Sequence, residues 1–344
     1  MKALLDRVSE EYTKALVTGG GGFIGSHICE ELVKSGIQVV SLDDYSAGKE
    51  ENCALLEGYS NFRSVHCDIT DMNNLPRHFE GVDLVFHNAA SKKNVCLRDP
   101  RRDLEVNAKG AYNMLELSKA FKVKKFVHAS TGSVYGEAQY YPQDEEHPLR
   151  PVSYYGVSKL AGERYVILYN RIYGLNTTVL RYFHVYGPRQ ESNEFGGVVA
   201  IFTRNMLKGE TPMIFGDGTQ ERSFTYVKDV VKANLIAATN SGSSGEVYNC
   251  ASGISVTIRE LCDKVIEFFG KTGEVKPRYE NWLVGDIRKF NIDNSKIKAL
   301  GMVFDTDFWG RLEETVEHYR AQTPEMAPLF DLDNLRDLVL NAVQ

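Results

Sequence analysis

The stretch KALVTGGGGFIG, Lys14–Gly25, decides how the rest of the chain reads. A short apolar run is followed at once by glycines at 19, 22 and 25, then by Ile28, Leu32 and Val33 at helical spacing. A strand that turns this tightly into a helix needs glycine where the backbone folds back and where a pyrophosphate must approach it. The helix N-terminus then offers amide donors and the positive end of its dipole to the phosphates. Gly19, Gly22, Phe23, Ile24 and Gly25 are therefore expected to form a dinucleotide-binding turn. Asp43 closes the next apolar run, Gln38 to Asp43. A carboxylate there accepts from the ribose hydroxyls of NAD and repels the extra phosphate of NADP. Asp44 follows, and one of the two acids either joins that contact or caps the next turn.

The alternation continues outward from this unit. Phe62 to Cys67, Val82 to His87, Lys125 to Ala129 and Thr177 to Phe183 read as strands, separated by helical patterns over Leu104 to Phe121 and Tyr154 to Ile172. The expected fold class is α/β, a Rossmann-like doubly wound parallel sheet. After Phe183 the rhythm breaks, with helices near 198–208, 227–239, 258–269 and 308–320 and a returning strand at Val247 to Asn249. The expected division is a dinucleotide domain of residues 14–184 plus 223–250 and a smaller discontinuous substrate domain of 185–222 plus 251–322. Residues 1–13 read as a short extra helix and 323–344 as a tail. Apolar positions on the two long helices (Leu104, Ala108, Ala111, Leu115; Val157, Leu160, Ala161, Leu168) exceed what one sheet face needs, so a homodimer through 104–121 and 154–172 is expected.

Tyr155 stands four residues before Lys159, on one helical face. A phenol titrates near pH 10, and a neighbouring ammonium favours the phenolate. The pair is expected to be a proton-transfer device, with Tyr154 a packing or pocket residue.

Composition narrows the class. With 43% hydrophobic and 25% charged residues and a net charge of −6, the chain is expected to bind neither nucleic acid nor a membrane surface. No apolar run approaches the roughly 18 residues of a membrane span. The charged N-terminal stretch lacks a signal-peptide core, and the six cysteines show no paired or metal-like spacing. Reduced thiols in a cytoplasmic protein, with no metal, are the expectation.

Taken in order, these motifs resemble the extended short-chain dehydrogenase/reductases, specifically the nucleotide-sugar epimerases and dehydratases. The resemblance spans roughly Lys14 to Arg320 and rests also on Asp68–Ile69, His87 to Ala90, Asn107, Ser130 to Gly136, Arg181 to Arg189 and Gly216 to Arg222. It implies NAD as cofactor and a nucleotide-diphosphate sugar, most simply a UDP-sugar, as substrate. Tyr155 would be the acid/base, Lys159 would hold the nicotinamide ribose and lower the tyrosine pKa, and Thr131 would bond the reacting substrate oxygen, unless it merely caps a strand end. Asp68, Ile69, Ala89, Ala90, Asn107 and Tyr182 would add cofactor contacts. Lys92 either helps retain NAD or is a solvated loop charge. On the substrate side the resemblance points to Ser133, His184, Gly197, Val198, Phe215, Arg222 and Arg288. His184 stands where the family usually has Asn and is either a donor to substrate or a structural histidine. Phe215 stacks on a base or belongs to the core, and Arg288 binds phosphate or solvent.

Gly132 and Ser133 discriminate within the resemblance. Family dehydratases carry Asp-Glu there and decarboxylases carry Glu at the second position, for later acid/base steps. A hydrogen and a hydroxyl cannot replace them, so simple oxidation and re-reduction remains. The expected reaction is C4 epimerisation of a UDP-hexose or UDP-uronic acid through a 4-keto sugar. A C4 dehydrogenase/reductase with net redox turnover, or a non-catalytic dinucleotide sensor, are the alternatives. Phe290 lies where an aromatic limits room for an N-acetyl group in some relatives, while Arg288 and Lys289 beside it suit a uronate carboxylate.

Overall fold

The computed structural model describes residues 1–91, 93–191, 196–282 and 287–322. The apolar runs become strands β1 (Lys14–Thr18), β2 (Gln38–Asp43), β3 (Phe62–His66), β4 (Leu84–His87), β5 (Lys125–Thr131) and β6 (Thr177–Tyr182). The later excursions add β7 (Val185–Tyr186), β8 (Met213–Phe215), β9 (Glu221–Tyr226), β10 (Glu246–Cys250), β11 (Ile254–Thr257) and β12 (Arg278–Glu280). Seven of these form one sheet in the order β10-β6-β5-β4-β1-β2-β3, and every pair is parallel.

A parallel sheet must be covered on both faces, and the strand composition follows from that. All seven residues of β5 and all four of β4 are buried. Adjacent side chains go to opposite layers. Val17 joins the cluster of Ile28, Leu32, Val230 and Leu235, from helices Phe23–Lys34 and Val227–Thr239, whereas Leu16 joins that of Met114, Leu115 and Val166, from Ala111–Ala120 and Tyr154–Tyr173. The first helix, Lys2–Glu11, buries Val8 in the former cluster. Two smaller sheets, β11-β9-β7 and β12-β8, lie on the excursions after β6.

Some boundaries differ from the sequence reading. β4 begins at Leu84 because the Asp83 carboxylate accepts from the backbone N–H of Thr13 and Lys14, each at 3.0 Å, and so ties down the entrance to β1. β3 stops at His66, one residue short of Cys67. The run expected over Leu104 to Phe121 starts earlier, at Pro100, where the Asp99 side chain accepts from Arg102 N–H at 2.9 Å. It then widens into a π-helical turn, Glu105–Gly110, before Ala111–Ala120. Such turns cluster at functional sites, and this one contains Asn107. Helix Tyr154–Tyr173 crosses it closely: a Cβ on Gly162 would stand 2.5 Å from the Asn107 carbonyl oxygen.

The surplus apolar face is real but shared differently. Ala108, Ala111 and Leu115 are buried, while Leu104, Val157 and Leu168 are exposed beside Tyr112, Tyr165, Ile172 and Tyr173. Tyr154 is 57% exposed and belongs to the surface, since one residue's step round the helix turns it away from the face of Tyr155. All six cysteines are free and buried. Among the described residues no helix is long and apolar enough to cross a membrane, and no group of side chains has the make-up of a metal site.

Candidate active site

The C-terminal ends of β1, β2, β3, β4 and β5 open onto one cleft of about 1190 Å³, solvent at its mouth included. This is where open α/β sheets bind ligands. Its walls carry Gly19, Gly22, Phe23, Ile24, Gly25, Asp43, Asp44, Asp68, Ile69, Ala89, Ala90, Tyr155, Lys159 and Tyr182. Residues from the first strand to the sixth thus meet in one space.

Backbone crowding explains the glycines. Gly19 has φ +68°, and a Cβ there would meet the Ala89 nitrogen at 2.8 Å; a Cβ on Gly25 would lie 2.0 Å from the Gly19 oxygen. The turn can therefore hug the end of β4 and start helix Phe23–Lys34 with its first amides facing the cleft. Asp43 is buried at the end of β2, its two oxygens accepting from the N–H of Gly21 (2.9 Å) and Tyr45 (2.8 Å). Burial pushes its pKa up against those bonds. Asp44 both caps its own turn, accepting from Ser46 N–H at 3.0 Å, and faces the cleft. The glycine cradle, the amides and the acids fit an elongated, pyrophosphate-bearing dinucleotide.

At the other end, Thr131 closes β5 and caps the turn after it, accepting from Ser133 N–H at 3.1 Å. Its hydroxyl stands by the Tyr155 phenol and acts to lower that group's pKa. The Tyr155 phenol stands above its ordinary pKa in this structure. Burial pushes it up to about 12, with Thr131 acting the other way and Cys96 and Asp103 adding to the rise. Burial likewise brings the Lys159 ammonium down to about 8, against the opposing pull of Glu163 and Asp103. His87 and His128 lie near this ammonium, their rings tilted to each other with centroids 5.3 Å apart, and burial holds both far below their usual pKa. They are neutral near pH 7 and add no competing cation.

Asn107 lies behind the wall rather than on it. Its amide donates to Asp103 Oδ1 (2.7 Å) and Ser158 Oγ (3.0 Å), and its Oδ1 accepts from Ser91 N–H (2.9 Å). It braces the helix of Tyr155 and Lys159 against the loop after β4. Tyr182 donates to Asn88 and accepts from Asn234 Nδ2 at 2.7 Å. Lys92 lies outside the described residues.

The substrate-side residues do not line this cleft. Arg222 is buried, donating to the carbonyl oxygens of Ile287 (2.7 Å) and Glu221 (2.9 Å), with its guanidinium 5.8 Å from the Phe290 ring centre. Phe290 meets His184 edge-on at 4.8 Å and Phe183 at 6.2 Å. Arg288 lies over Trp282, which fills the space against Gly216, next to Phe215 on β8. Gly197 and Val198 begin helix Val198–Leu207. Sequence reading missed Arg102, Asn88, Ser91 and Glu191 on the cleft wall, and Trp282. Asn88, inside the His87 to Ala90 motif, and Glu191, just after the Arg181–Arg189 motif, carried a usable positional signal.

Residues 15–251 match the model of the NAD dependent epimerase/dehydratase family. The chain belongs to that family. Its cofactor is NAD. Among this family's members, a putative UDP-glucose 4-epimerase of Methanocaldococcus jannaschii is 40% identical over 83% of this chain and 92% of its own length. The UDP-glucose 4-epimerase of Thermotoga maritima, solved with UDP-glucose, is 39% identical with a TM-score of 0.84, covering 90% of this chain and 99% of its own. A UDP-glucuronic acid 4-epimerase of Bacillus cereus, solved with UDP-glucuronic acid and NAD, is 31% identical with a TM-score of 0.84 over 90% and 99%. Decarboxylases and a dehydratase of the family also match, at 30–32% identity.

Proposed function

We propose that this chain interconverts the C4 epimers of a UDP-hexose or UDP-uronic acid. The observation that carries this reading is the space at Gly132. A Cβ there would stand 2.3 Å from the ring of Phe183, which is 1% exposed and stacked on Tyr135. A side chain long enough to serve as the acid for elimination has no room without repacking that cluster. Reversible oxidation at one carbon is what the remaining groups support.

NAD, when bound, supplies the hydride acceptor and donor. Gly19, Gly22, Phe23, Ile24 and Gly25 would hold its pyrophosphate and Asp43 its ribose, and Asp68, Ile69, Ala89 and Ala90 would line its path. Tyr155 takes the C4 hydroxyl proton with Thr131 beside it, and Lys159 is the group that would hold the nicotinamide ribose. Asn107 keeps that helix in place. On the sugar-nucleotide side, Arg222, Arg288 and the amides at Gly197 and Val198 face the diphosphate, and Phe215 the base. His184, Ser133 and Phe290 bound the sugar, with Phe290 favouring hexoses without an N-acetyl group. On this reading the chain divides into a dinucleotide domain of 14–184 plus 223–250 and a substrate domain of 185–222 plus 251–322. The exposed face around Tyr112, Val157, Leu168 and Ile172 (64% exposed) supports a homodimer, and six buried thiols support a cytoplasmic setting.

The test is incubation of the purified protein with a panel of UDP-sugars, with and without added NAD, separating products and following NADH absorbance. Epimer without NADH build-up is expected. Stoichiometric NADH, or a 4-keto-6-deoxy product, would overturn the reading. Cofactor placement has its own test: Gly25→Ala should strip NAD from the purified protein, and undiminished NAD content would refute the assigned cradle.

A further inference from the structure

Arg102 reaches from helix Pro100–Leu104 to two carboxylates on separate loops. Its Nη2 donates to Asp44 Oδ2 at 3.0 Å and to Asp68 Oδ2 at 2.8 Å. Asp44 follows β2 and Asp68 follows β3, and these strands are neighbours in the sheet, so the two acids stand side by side at its C-terminal edge. All three side chains line the cleft. In this strand arrangement the edge beyond β2 is where the adenosine half of a dinucleotide lies.

Each carboxylate is held at both ends. Asp44 Oδ1 accepts from Ser46 N–H (3.0 Å) and Asp68 Oδ1 from Thr70 N–H (2.8 Å), which leaves the second oxygen of each turned to Arg102. The Thr70 and Arg102 bonds hold Asp68 below its usual pKa even though burial acts the other way. Arg102 itself is fixed at its root, where its N–H binds Asp99. Its helix runs directly into the π-helical turn of Asn107. The Arg102 side chain is 30% exposed. Ion pairs so placed are screened and can open. The arrangement is that of a clasp at a rim, unlike the buried Arg181–Glu163 pair.

We propose that Arg102 is a latch on the adenosine end of the NAD cleft: paired to Asp44 and Asp68, it pins the loops after β2 and β3 and slows release of bound NAD. The proposal rests on the placement of NAD in this cleft, which the Gly25→Ala variant tests separately. It is independent of the substrate and of the direction of the reaction. Arg102 is a positioning residue here, with no part in proton transfer.

The test follows release of isotopically labelled NAD from the loaded protein into an excess of unlabelled NAD. Arg102→Met keeps the aliphatic stem and removes the charge, and should release NAD about fivefold faster, the scale of two part-exposed ion pairs. Raising salt from about 0.05 M to about 0.5 M should speed release from the native protein and leave Arg102→Met nearly unchanged. Asp44→Asn, which breaks one pair only, should fall between them, and Arg102→Lys should recover part of the retention. Equal or slower release from Arg102→Met, or an equal salt response in both proteins, would overturn the latch. Should Arg102→Met fail to fold by circular dichroism, Asp44→Asn decides: native-like release from it overturns the proposal.

Discussion

Arg181 and Glu163 form an ion pair within the protein interior, Nη2 to Oε1 at 2.6 Å and Nε to Oε2 at 3.2 Å, with side chains 3% and 0% exposed. Glu163 also accepts from Ser130 Oγ at 2.6 Å and stands one helical turn beyond Lys159. Burial drives the Lys159 ammonium down, and Glu163 is the strongest force holding it up. The pair therefore fixes a negative charge beside the proposed lysine as well as joining β6 to helix Tyr154–Tyr173.

Glu163→Gln should cost roughly 3–5 kcal/mol of stability, because it strands a buried guanidinium. It should also move the alkaline limb of the pH–rate profile. Lys159 loses its proton near pH 8 in the folded protein, so activity that needs the ammonium falls as pH rises through that value. Without Glu163 the fall should begin at lower pH. Urea melts and kcat/KM between pH 6 and pH 9 would check both, and an unmoved limb would remove Glu163 from the electrostatics of the site.

Tyr155→Phe should lower turnover by roughly 10²–10⁴-fold while leaving NAD binding within a few-fold of native. With its pKa raised to about 12 the phenol is protonated at neutrality, and Tyr155→Phe removes the hydroxyl that exchanges the proton while leaving the ring in the cleft wall. Product ratios by NMR and NAD content by absorbance separate these effects. Retained turnover would dismiss the assigned acid/base.

Gly132→Asp is expected to destabilise the fold by about 1–3 kcal/mol, since Phe183 must yield to the new side chain. It should not create elimination activity, because a displaced aromatic cluster offers no defined position for the carboxylate. Thermal melts and product analysis check this. A stable variant that forms a 4-keto-6-deoxy sugar would show that Phe183 is not the barrier.

Lys125 sits at the opposite end of β5 from Thr131, its ammonium donating at 2.8 Å to each of Asn176, Thr178 and Ser243. Burial lowers its pKa to about 7. The unfolded chain therefore binds an extra proton between pH 7 and the ordinary lysine value, and stability should rise with pH across that window. The difference in unfolding free energy between native protein and Lys125→Met should grow by on the order of 1 kcal/mol per pH unit there. A flat difference would mean that Lys125 keeps its proton when folded.

The features legible from the residues alone are local ones. The glycine turn, the carboxylate closing β2 and the four-residue step from Tyr155 to Lys159 are matters of short-range geometry, and the bounds of β1 and β2 come out as read. Repeating apolar runs were enough to specify a parallel sheet, because a strand buried on both faces has no polar alternation to hide. Tertiary structure alone decided the rest. Arg102 meets Asp44 and Asp68 across 58 and 34 residues of chain. Phe183 claims the space beside Gly132, and Tyr154 faces outward. Burial holds the Tyr155 phenol above its ordinary pKa. Helical periodicity reports which residues share a face, but desolvation and pairing depend on what folds over that face, and those partners come from distant segments.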